Sequence, residues 1–150
     1  MASIRTQLTT RVITALQAAT ALGMTKPAGL TVRRMLNVPA EDSVLPLIIV
    51  FPSIDAREQH DQLREIHELQ IVLDSRALVA SGSSPDQAVD DLLTWAERAL
   101  KADETLGGLA ITVTAGAIEW DIDTSDLERS RALQLWIVLY LAQEFNPEAN

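Results

Sequence analysis

The chain has no cysteine. This excludes disulfides, thiolate metal sites and a cysteine nucleophile, and fits a reducing compartment. Positive charge is also scarce: 12 Lys and Arg stand against 21 Asp and Glu, a net charge of -9. Ordinary phosphate-backbone binding depends on Lys and Arg neutralising phosphates, so nucleic acid is not expected as a bound partner. No apolar run approaches the roughly 20 residues that span a bilayer, and a soluble protein is expected. The first residues, Met1 to Gln7, lack a basic segment followed by an apolar core, so no secretory signal is expected. Catalytic signatures are missing too. No Gly-x-Ser-x-Gly elbow occurs, and Gly107-Gly108 stands without a phosphate-loop lysine and reads as a helix-terminating turn.

What is present is a regular alternation of patterned segments with no internal repeat. At 150 residues a single domain, 1–150, is expected, able to bury about 68–70% of its unfolded surface. Ser3 caps a first helix in which Ile4, Leu8, Val12, Ala15, Leu16 and Ala19 recur at three and four, ending near Gly23. Residues 31–36 read as a strand. Leu45 to Phe51 is apolar throughout and reads as a buried strand, with Pro46 at its start. Residues 53–64 are mostly polar and read as a long, mobile loop of functional interest. Strand alternation resumes over 67–76 with Leu69, Ile71 and Leu73 on one side.

Ser84-Pro-Asp-Gln87 is a helix start in which Ser84 caps and Gln87 reaches back as in a capping box. The buried face of that helix runs through Val89, Leu92, Leu93, Ala96, Ala99 and Leu100. Apolar residues then fall on odd positions, Leu109, Ile111 and Val113, before switching to even ones, Ile118, Trp120 and Ile122. Such a switch requires a bulge or a tight hairpin at Ala115-Gly116. The last strand carries Leu133, Leu135, Ile137 and Leu139 on one face and Trp136, Val138 and Tyr140 on the other. Both faces are apolar, a pattern that asks for cover on both sides and hints at assembly. A polar end, 143–150, is expected to fray. The fold class is α+β, a mostly antiparallel sheet of about five strands with two helices packed on one face.

Few residues invite a chemical role. His60 and His67 are seven apart on a segment read as loop then strand, and read as solvated surface histidines. Glu119, Asp121 and Asp123 share one strand face; three carboxylates there could recruit a hard cation, but a solvated edge or pore-facing strand is the stronger reading. Arg33, Arg34 and Arg57 read as salt-bridged or solvated. Core packing accounts for Trp95 and Trp120. Trp136 fits either a packed second layer or a subunit interface, where aromatics are enriched.

Taken in order, these segments resemble the tail terminator proteins of long-tailed bacteriophages, relatives of the lambda-type minor tail protein U. The features are the first helix, Leu45-Pro-Leu-Ile-Ile-Val, the polar excursion, the strand reaching Ala80, the capped helix ending in 99–109, and Ala132 to Tyr140. The resemblance covers about residues 3 to 142. It implies a structural virion protein that catalyses no reaction and needs no cofactor or metal. It further implies a homo-oligomeric ring, hexameric, that caps the head-proximal end of the tail tube and stops its polymerisation. Its partners would be other copies of itself, the tail tube protein and a head-neck connector protein. DNA would pass through without specific binding, no membrane would be involved, and the protein would sit in the virion after assembly in the host cytoplasm. On that reading Ile54, Arg57, Arg64 and Trp136 are candidate subunit or tube contacts, and Glu119, Asp121 and Asp123 a candidate lumen or solvent face. Another neck or tail-completion protein is the near alternative, and a small cytoplasmic enzyme with an acidic cation site the distant one.

Overall fold

The computed structural model describes residues 3–35, 45–59, 64–122 and 128–143. Helix α1 spans Ile4–Leu16, with the Ser3 hydroxyl accepting from the Thr6 amide at 3.2 Å. Its buried residues Ile4, Leu8, Val12 and Leu16 recur every four positions, one stripe along the helix. The helix stops seven residues before Gly23. Two short strands, β1 (Thr20–Ala21) and β2 (Met24–Thr25), form a hairpin there, and Leu22 and Gly23 supply the positive φ angles of its turn. Gly23 therefore turns a hairpin and does not end a helix.

The main sheet has five strands in the order β3-β4-β5-β7-β6. They are β3 (Thr31–Arg34), β4 (Leu47–Gln59), β5 (Arg64–Leu78), β6 (Thr112–Asp121) and β7 (Arg129–Gln143). The β3-β4 pair is parallel and the other three pairs are antiparallel. Helix α2 (Pro85–Lys101) connects β5 to β6. The sheet and both helices share one hydrophobic cluster, the helices lying together on one face. This is the expected α+β arrangement.

Two local expectations need correction, and a third is decided between its two alternatives. The stretch 53–64 is not a loop as far as it is described: β4 continues through Gln59, and β5 begins at Arg64, paired as a long hairpin. Its polarity reflects strand positions that are largely exposed, Ser53, Ile54, Ala56 and Arg57; residues 60–63 lie outside the described part. Ser84 occupies the N-cap of α2 with extended backbone, but its side chain makes no capping hydrogen bond. The parity switch in β6 is a bulge inside one strand, with the register shifting between Ala115 and Ile118. Gly116 is required there, because a Cβ would lie 2.7 Å from the Leu135 carbonyl oxygen.

Register decides which face each side chain takes. The row Ile48·Ser75·Ala132·Trp120 and the row Val50·Leu73·Gln134·Ile118 run across four strands on the helix side. Ile71·Trp136, Leu69·Val138 and His67·Tyr140 continue that side along β5 and β7. The neighbouring rows, Phe51·Val72·Leu135 and Ile54·Gln70·Ile137, look the other way, where no described helix lies.

Candidate assembly surfaces

Trp136 lies on the covered side, 2% exposed, within the core cluster. The sequence left interface and core open for this residue; the structure makes it core, under the helices of its own chain, and it cannot serve as a subunit contact in this conformation. The face without helices belongs instead to Leu133, Leu135, Ile137 and Leu139. All four are only partly buried, and they adjoin Val72 on β5 and Phe51 on β4. Ile54 lies on this same side, 53% exposed. Arg57 is opposite His67 on the helix side, at an exposed position. Arg64 opens β5, and its side chain is outside the described atoms. The sequence candidates are thus divided between the two faces.

The exposed tryptophan is Trp120, at 43%. Its parity matches the core residues, yet it sits on the edge strand β6, where the sheet outruns its cover. Periodicity shows a face but not a strand's place in the sheet, so the sequence assigned it to the core. Glu119 and Asp121 are exposed on the helix-free side of the same strand. Asp121 approaches Arg131 at 3.5 Å, whereas Glu119 has no ionic partner among the described residues. Asp123 lies outside them. No group of three or more His, Asp or Glu among the described residues is placed to hold a metal ion.

Two polar clusters brace the sheet. On the helix-free side, Arg131 donates to both carboxylate oxygens of Asp74 at 2.9 Å. Arg76 donates to the same oxygens at 3.3 and 3.0 Å. Asp74 is 1% exposed. Burial pushes its carboxyl up, and the hydrogen bonds and charges of Arg131 and Arg76 outweigh that and hold it below the ordinary 3.8.

On the helix side, where the core gives way to the paired ends of β5 and β7, His67 lies 2% exposed. Its Nδ1 is 3.1 Å from Asp55 Oδ1, and its Nε2 is 3.1 Å from Glu65 Oε2. The Tyr140 hydroxyl donates to Asp55 Oδ2 at 3.1 Å, and Arg5 reaches the same oxygen at 3.3 Å. Burial, followed by the charge of Asp55 and its hydrogen bond, pushes the Tyr140 hydroxyl above the usual phenol range, so it remains a donor. The surface reading of His67 is therefore corrected. A signal was present in the sequence: His67 has the parity of Leu69, Ile71 and Leu73. Chemically, this arrangement ties α1, β4, β5 and β7 together, and both imidazole nitrogens are engaged by carboxylates.

No protein-family model matches the chain, and neither does any curated protein. No helix among the described residues is long and apolar enough to cross a membrane.

Proposed function

We propose that the chain is a structural subunit of the tail-terminator kind, which assembles with its own copies into a ring on the head-proximal end of a phage tail tube. The ring ends tube polymerisation and offers the surface to which the head attaches through its neck. The observation that carries the assembly part of this reading is the helix-free face. The aliphatic stripe Leu133, Leu135, Ile137 and Leu139 is only partly buried, in a fold whose other face holds a complete core. A contiguous apolar surface left part-exposed suits a contact with another macromolecule. The phage assignment rests on the resemblance in the order of elements. A net charge of -9 suits a passage through which DNA slides without sticking. The reading involves no chemical step.

Electron micrographs of tails assembled with and without this protein test the function. Overlong, headless tails in its absence are expected. Tails of normal length that lack heads would move the protein to a neck-completion role, and normal headed tails would remove it from tail assembly.

A further inference from the structure

The two outer strands of the sheet carry opposite charge in matching positions. On the helix-free side one row runs Arg33·Ile49·Asp74·Leu133·Glu119, from the outer edge of β3 to the outer edge of β6. The adjoining row on the helix side begins at Val32 and ends at Trp120. Among the described residues nothing pairs with either outer edge. Arg33 Nε is buried with no hydrogen-bond partner, and Glu119 has no ionic partner among the described residues.

We infer that β6 of one copy pairs antiparallel with β3 of the next, continuing the five-stranded sheet from subunit to subunit. Backbone geometry supports this register. The amides of Thr31 and Met35 donate toward the β4 side, to Pro46 and Val50. Alternation therefore turns the backbone groups of Val32 and Arg34 outward. Carried across the antiparallel sheet, the same alternation turns outward the groups of Ile118 and Trp120, which occupy the same two rows. Continuing the rows pairs Val32 with Trp120 through backbone hydrogen bonds and lays the indole against an apolar neighbour. Arg33 and Glu119 become a non-hydrogen-bonded pair, the closer kind, whose opposite charges meet on the helix-free side. One existing bond is affected: the outward Val32 carbonyl accepts from Gln17 Nε2 at 3.3 Å. A carbonyl oxygen has two lone pairs, so it can take the incoming amide as well.

Charge also sets the symmetry. Two β6 edges brought together would oppose Glu119 and Asp121 to themselves, and two β3 edges would oppose Arg33 and Arg34. Charged edges of this sort prevent like edges from pairing, whereas the unlike edges attract. The contact is therefore heterologous, the kind that closes into rings or runs on as filaments. The inference rests on the ring reading only in requiring that copies meet.

The absence of native cysteine makes disulfide trapping a clean test. Non-hydrogen-bonded antiparallel partners have Cα atoms about 4.5 Å apart, within disulfide range. Arg33→Cys and Glu119→Cys, made separately, mixed and oxidised, should yield a 33–119 linked dimer. Each variant oxidised alone should not, and a chain carrying both should give covalent ladders or closed rings. Charge reversal supplies a second readout: Arg33→Glu or Glu119→Arg should weaken self-association severalfold, and the two combined should restore it. Links of 33 to 33 or 119 to 119 at equal yield, or oligomers in which 33 and 119 never join, overturn the edge pairing and leave the ring reading standing. A protein that remains monomeric at every concentration overturns both. Normal headed tails without the protein would overturn only its tail role.

Discussion

The two faces of the sheet are made of similarly apolar residues and have different fates. On β7, Trp136, Val138 and Tyr140 are buried by α1, α2 and their own strand neighbours, while Leu133, Leu135, Ile137 and Leu139 one residue away remain part-exposed. Hydrophobicity alone does not distinguish them. Cover does, and the two helices of this chain cover one side. The helix-covered side acts in stability, and on the proposed function the part-exposed stripe of β7 is the surface offered to a partner.

The largest effect is expected on the finished side. Trp136→Ala should cost about 3–5 kcal/mol of monomer stability, as truncation of buried tryptophan does, measured as a fall in urea midpoint. Unchanged monomer stability together with lost assembly would reverse the comparison.

Asp74→Asn should cost about 1.5–3 kcal/mol, because charge-assisted bonds from two arginines lose their carboxylate. The same group predicts a pH dependence. Its folded-state pKa lies below the ordinary 3.8, so its contribution is present above that value and fades as pH falls through the lowered one. Urea midpoints measured from pH 5 downward should show the variant losing less stability than the parent; parallel curves would contradict the assignment.

Tyr140→Phe should cost about 1 kcal/mol, since it removes one donor to Asp55 and little packing. A neutral result in thermal melts would show that His67 and Arg5 satisfy Asp55 unaided. The smallest stability effect is expected on the open side. Leu135→Gln should change monomer stability by about 1 kcal/mol or less, given its partial exposure, yet weaken binding of the assembled protein to the tail tube in sedimentation. A variant that binds the tube normally would assign that contact elsewhere.

Much of this division was legible in the sequence and part was not. The helix start at Ser3, the α2 stripe, the bulge at Gly116 and the two-sided character of β7 all follow from periodicity and glycine chemistry. Periodicity could not say which side of β7 the helices take, because Trp136 and Leu135 satisfy the same rule. Nor could it locate an edge, so Trp120 read as core. Polarity misled at 53–59, where largely exposed strand residues resemble a loop. His67 was misassigned because its partners Asp55 and Tyr140 are distant in sequence and meet only through the β4-β5-β7 register.

Self-assembly is the central claim, and native mass spectrometry of the purified chain tests it most directly. The account predicts a species near six times the 16.4 kDa protomer, depleted in Arg33→Glu while the monomer stays folded. A parent chain found only as monomer across the accessible concentration range would contradict it.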